Sequence, residues 1–236
     1  MKINPQLMND RKAYYFFCED LFKKHKASGE PCYKVVWEGE LEHPDDLKFQ
    51  KDVQFEIPHP LELAKEENNY FEAIDYEVDG PAMSCADGQS YEFAEGSPYT
   101  NDVLDRAVIP QKHRLNSEIK EILELDYARS MINTQLTGNI IPPHTDKNSW
   151  MMNYLIDQKV DDNYLWTDIK RYFYFYDDQK YGQMMMMGDT PVTWKKGIMI
   201  EYPFWMKHTS ANAWHQARPI LSITGCGKKV TWNNLD

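Results

Sequence analysis

The residues that invite chemistry lie in the run Gly138-Asn139-Ile140-Ile141-Pro142-Pro143-His144-Thr145-Asp146. In an extended chain, side chains two apart project to the same side. The His144 imidazole and the Asp146 carboxylate can therefore reach a single ion. A second imidazole from a distant strand would complete three ligands on one face and leave the opposite face open. Two His and one carboxylate so arranged suit non-haem Fe(II), because a co-substrate and O₂ must both reach the metal.

His208, in Trp205-Met206-Lys207-His208-Thr209, is placed to supply that imidazole. Arg218 follows ten residues later, a separation that an antiparallel return would close. A guanidinium beside the metal can clamp a carboxylate with two parallel charged hydrogen bonds, a geometry lysine lacks. His215 competes with His208 for the third ligand, but it stands three residues before Arg218, too near for that return. Its alternative is a surface or substrate-facing position.

These groups need elements to hold them. After Leu125, short aromatic or branched runs alternate with Gly, Asp and Pro: 131–136, 151–156, 171–176, 184–187, 198–202 and 220–224. Regular short strands separated by turn residues indicate a sandwich or barrel. Met184 to Met187 read as strand filler, since copper sites space their methionines rather than run them together. Trp150, Trp205 and Trp214 read as barrel core. Upstream, Leu7, Tyr14, Phe17, Cys18, Leu21 and Phe22 recur at helical spacing over 6–26, and Gly29 and Pro31 end that helix. Further helices are predicted over 100–107, capped by Thr100 or Asn101, and over 117–125. Tyr33 to Trp37 and Val53 to Ile57 read as strands.

Composition bounds the possibilities. The 236 residues suffice for one domain, 1–236, in which 1–125 form a mixed helical support and 126–236 the core carrying the site. Seven Trp and fifteen Tyr favour a β-rich body over disorder. A net charge of −11 with no basic stripe argues against a nucleic-acid partner, and Lys23 to Lys26 read as a solvated helix face. The acidity leans towards a neutral or cationic substrate. Four scattered cysteines form no CxxC pair, and no signal peptide, membrane span or Asn-x-Ser/Thr sequon is legible, which points to a reducing, cytoplasmic setting. Gly225-Cys226-Gly227-Lys228-Lys229 is no phosphate loop, because Ser222 stands where glycine is required and Lys229 where Ser or Thr is.

The ordered set over 131–224 resembles the 2-oxoglutarate/Fe(II)-dependent oxygenases, in their prolyl-4-hydroxylase-like branch. That branch shows Tyr-x-x-Gly, then His-x-Asp, then a distant His, an Asn four residues on, and a basic residue at plus ten. Here Gln135-Leu136-Thr137-Gly138, His144-Thr145-Asp146, His208, Asn212 and Arg218 take those places, with Gln135 replacing the family's Tyr. The resemblance implies a double-stranded β-helix, a jelly roll akin to cupins, mainly β with flanking α-helices. It implies Fe(II) on His144, Asp146 and His208, and 2-oxoglutarate as co-substrate, its far carboxylate on Arg218 with Gln135 and Asn212 nearby. Arg171, Tyr172 and Tyr174 are candidates for the remaining half of that anchor. With Asp146 present, hydroxylation is favoured over halogenation. The implied activity is oxidation of an amino-acid side chain, free or within a peptide or protein. Alternatives are a cupin-type metalloenzyme without 2-oxoglutarate, although the usual cupin His-His-Glu-His set is missing, and a non-catalytic jelly-roll binding module.

Overall fold

The computed structural model describes residues 11–44, 47, 50–51, 104–110, 112–146 and 169–227. The strands predicted at 53–57 and 151–156, Trp150, the first residues of the leading helix and the Lys228-Lys229 pair lie outside them. In chain order the elements are α1 (Arg11–Ser28), β1 (Lys34–Glu38), β2 (Gln50–Lys51), β3 (Leu104–Val108), α2 (Arg114–Leu123), β4 (Tyr127–Gln135), β5 (Asn139–His144), β6 (Ile169–Phe175), β7 (Gln183–Met187), β8 (Thr190–Pro191), β9 (Ile198–Pro203), β10 (His208–Asn212) and β11 (Arg218–Cys226).

Two antiparallel sheets result, one ordered β1-β9-β6-β11-β4-β3-β2 and the other β5-β10-β7-β8. From β4 onward the chain alternates between them, apart from the β7–β8 hairpin: β4, β6, β9 and β11 lie in the larger, β5, β7, β8 and β10 in the smaller. That alternation defines a double-stranded β-helix. The protein is a jelly roll of the cupin kind, mainly β with flanking helices.

The period of two in the strands decides what fills the space between the sheets. On β6, Ile169, Phe173 and Phe175 face inward and meet Met185, Met187, Trp194, Ile200 and Ile220 in one buried cluster. The intervening Tyr172 and Tyr174 face outward, into a second cluster with Leu115 and Ile119 of α2. Both faces of β6 are therefore covered, and all seven of its residues are buried. The methionine run obeys the same rule, with Met185 and Met187 inside and Met184 exposed. Helix α1 presses Cys18 and Leu21 against the inter-sheet core.

Two expectations change. Where the helix predicted over 100–107 is described, from 104 on, the chain is instead strand β3, paired from Leu104↔Gln135 to Val108↔Met131 along β4; its cap, Thr100 or Asn101, lies outside the described residues. Pairing beside an already formed strand, with Ala107 sealed in the outer core, outweighs the weak local preference. Trp205 is core, but Trp214 is half-buried outside both core clusters, beside exposed His215. The segment before 126 contributes β1, β2 and β3 to the larger sheet.

Candidate metal centre

The turn from β4 to β5 carries the chain from one sheet to the other. Gly138 makes it possible with φ +80°, a left-handed conformation that side chains with a Cβ rarely adopt. Its N–H donates to the Asn212 carbonyl at 2.7 Å. Strand β5 then pairs with β10, His208 opposite His144 and Ser210 opposite Ile141. One residue on β10 thus faces two on β5, a bulge located at Pro142-Pro143. Proline has no N–H to give to a ladder, so a bulge is where two of them fit. Residues three apart on a regular strand face opposite sides. The bulge corrects that parity, and Ile141 and His144 both line the same cavity.

Around that cavity His144, Asp146 and His208 offer three ligand atoms within 4.8 Å of one another. His144 Nε2 lies 3.6 Å from Asp146 Oδ1, and His208 Nε2 lies 3.7 Å from Oδ2. The two rings stand 4.3 Å apart between centroids. His208 Nδ1 sits 3.1 Å from the Met206 carbonyl. A proton on Nδ1 donated to that oxygen leaves the Nε2 lone pair facing the centre, the tautomer a metal ligand needs.

The electrostatics favour ligating protonation states. Burial, reinforced by the neighbouring His144, pushes His208 down to about 3 against the pull of Asp146, so it is a neutral imidazole. Burial alone would raise the Asp146 carboxyl, but the Arg171 guanidinium, with His208 and His144, outweighs it and holds the group well below the usual range. The neutral His208 imidazole and the ionised Asp146 carboxylate are donors that bind a divalent ion without first losing protons. By its donors, this cluster fits a metal.

Arg171, a candidate for anchoring a carboxylate of the co-substrate, does line the cavity. Its Nη2, however, lies 2.5 Å from Asp146 Oδ2. It also donates to Ser222 Oγ at 3.2 Å and to Thr224 Oγ1. Burial works against its charge, and Asp146 with Tyr202 outweighs that, keeping its pKa above the ordinary value. Tyr172 and Tyr174 point away from the site altogether, Tyr174 hydrogen-bonding Leu41 N and Gly39 O on the outer face.

Arg218 lines the cavity beside the three ligands. It is 3% exposed, and burial lowers it to about 10. Its Cζ lies over the Trp194 ring, 5.2 Å from the centroid, its Nη2 donates to Gln135 Oε1, and its buried Nε has no hydrogen-bond acceptor among the described residues. Among the described residues no carboxylate pairs with it. Asn212, expected near the co-substrate, is instead a structural tie. Fully buried, it donates to the Gln135 and Gln216 carbonyls at 3.0 and 2.9 Å and accepts from Gln183. Gln135 lines the cavity but spends its amide on Asn139 O and Ser210 O, at 2.9 and 3.2 Å. The cavity itself measures ≈ 60 Å³, room for a few waters. Asn133 and Ser210 also line it, and no sequence signal marked them.

No family model matches the chain, and no curated protein does. Among solved structures, KdgF from Halomonas sp. aligns at TM-score 0.33 and 6% identity over 54% of this chain and 82% of that one. A predicted oxalate decarboxylase from Thermotoga maritima aligns at 0.33 and 11%, over 52% and 81%. An RmlC-like cupin from Shewanella frigidimarina aligns at 0.32 and 7%, over 54% and 79%. At these scores the likenesses say nothing about chemistry, and the strand order itself defines the fold. Among the described residues, no helix is long and apolar enough to cross a membrane.

Proposed function

We propose that the chain is a metal-dependent oxidoreductase, in its finer reading an Fe(II)- and 2-oxoglutarate-dependent hydroxylase of an amino-acid side chain, free or in a peptide. One observation carries this reading: a His-Asp-His cluster and a buried guanidinium without an acidic partner among the described residues share a single cavity. His144, Asp146 and His208 would hold the ion, and Arg218 would take the far carboxylate of the co-substrate. When bound, iron with 2-oxoglutarate and O₂ supplies the oxidising power to hydroxylate an unactivated C–H bond. The protein contributes placement. Met206 O fixes the His208 tautomer, Arg171 holds the Asp146 carboxylate ionised, and Phe173, Ile141, Met185 and Ile220 supply the apolar part of the cavity wall.

Anaerobic titration with Fe(II) and 2-oxoglutarate tests it. A weak visible charge-transfer band should develop, and Asp146→Ala should lack it. Absence of the band in the wild type would sink the finer reading.

A second reading, a cupin-type metalloenzyme that does not use 2-oxoglutarate, is favoured by the small cavity and by Gln135, whose oxygen already engages Arg218. The two separate on succinate and CO₂ release dependent on 2-oxoglutarate, which only the first produces.

A further inference from the structure

We propose that Gln135 does not itself bind the co-substrate but positions Arg218, and so sets the preference for 2-oxo acids that carry a second, distal carboxylate. The inference rests on the reading of Arg218 as a carboxylate anchor given above.

Every hydrogen-bonding position of the Gln135 carboxamide is spent inside the protein. Its two N–H bonds go to Asn139 O and Ser210 O at 2.9 and 3.2 Å. Its oxygen accepts from Ser210 Oγ at 3.1 Å and from Arg218 Nη2. A primary amide has two donors and two acceptor lone pairs, so none remains for a ligand. These contacts also fix which end of the amide is oxygen, since the two neighbouring carbonyls accept only from nitrogen. The register makes the arrangement firm, because Gln135 and Arg218 are direct cross-strand partners on β4 and β11. Gln135 is 1% exposed, leaving it no room to swing aside.

Among the described residues Arg218 is held by this one strong side-chain contact. Its other contacts there are the Trp194 face at 5.2 Å and a long approach of Nη1 to Met184 O at 3.5 Å. Both two-pronged edges of a guanidinium include Nη2, so an acceptor fixed on that nitrogen determines which edge is presented. Because the acceptor is neutral, Arg218 keeps its charge for a ligand, and its Nε stays without an acceptor. A carboxylate at position 135 would cancel that charge from within.

The test compares the Mn(II)-loaded wild type with Gln135→Met, Arg218→Met and the double variant. Each is titrated with 2-oxoglutarate and with pyruvate, which lacks the distal carboxylate. Arg218→Met and Gln135→Met should each weaken 2-oxoglutarate binding by about tenfold or more, as expected for a hydrogen bond involving a charge, and leave pyruvate unchanged. The double variant should bind like Arg218→Met alone, since Gln135 acts only through Arg218. Gln135→Glu provides a second route if the apolar variant does not fold, and should lose 2-oxoglutarate selectively to its internal carboxylate. Unchanged 2-oxoglutarate affinity in Gln135→Met, equal losses for both acids, or multiplicative losses in the double variant would overturn the inference alone. A wild type that binds Mn(II) but neither acid would overturn the parent reading and the inference with it.

Discussion

Removing the Asp146 carboxylate has two separable consequences. Asp146 faces Arg171 at 2.5 Å, with side chains 22% and 8% exposed. Breaking a buried pair by deleting one partner costs about 3–5 kcal/mol, because the remaining charge stays buried. Asp146 is partly open, and Arg171 keeps Ser222 and Thr224 as hydrogen-bond partners, so Asp146→Ala should cost about 3 kcal/mol. At roughly 2–4 °C per kcal/mol for a chain of this size, the melting temperature should fall by about 6–12 °C. Mn(II) at a hundredfold excess over its dissociation constant should stabilise the wild type by about 2.7 kcal/mol and leave Asp146→Ala unmoved. The assay is thermal and urea unfolding of wild type, Asp146→Ala, Arg171→Met and the double variant, with chelator and with Mn(II). The double variant should be less damaged than the sum of the singles by about 2 kcal/mol, the signature of direct coupling. Additive losses, or Mn(II) stabilisation that survives in Asp146→Ala, would refute the pairing and the ligand assignment respectively.

Three further outcomes follow from other parts of the fold. Met187 is fully buried between the sheets, so Met187→Ala should lower urea stability by about 2–5 kcal/mol with an unchanged m-value; a loss under 1 kcal/mol would mean the core there collapses freely. Gly138→Ala meets no atom within 4 Å but must adopt φ +80°, so about 1–2 kcal/mol of stability should go to backbone strain alone, and a neutral result would show that the turn relaxes. His25 is buried against Trp205 and Pro31 O, and burial lowers its pKa below 6.5. The unfolded chain therefore binds its proton first as pH falls below about 6.5, and stability drops in acid by at most about 1.4 kcal/mol per pH unit from this residue. The stability gap between wild type and His25→Phe should shrink from pH 7.5 to 5.5, and a constant gap would contradict that pKa.

How much of this was legible depends on whether a feature lives in local spacing or in register. The strand series after Leu125 and the pairing of His144 with Asp146 are matters of spacing, and both can be read along the chain. That His208 comes opposite His144 is register between two strands of the smaller sheet that lie far apart in the chain, which the sequence suggests only through family resemblance. Arg171, Tyr172 and Tyr174 stand in the sequence as equal candidates for half of one anchor, although adjacent strand residues face opposite sides. That rule alone separates Arg171 from the two tyrosines, a signal present but unused. The partnership of Arg171 with Asp146 was not readable, because it depends on where the chain returns after β5. Strand β3 was misread as a helix for the same reason, since β4 beside it decides its state.

The bulge at Pro142-Pro143 makes the centre's existence a question of counting. The side chains of β5 up to Ile141 and those from His144 onward belong to two opposite phases, joined by one surplus residue. Pairing both prolines in regular register, without the bulge, would carry His144 to the outer surface with no atom of any ligand changed. The chain's capacity to gather an ion is thus stored in a kink of the backbone rather than in a ligand. A descendant of this sequence that lost Pro143 could keep the centre, since Ile141 and His144 would then stand two apart on a regular strand, still opposite Ser210 and His208.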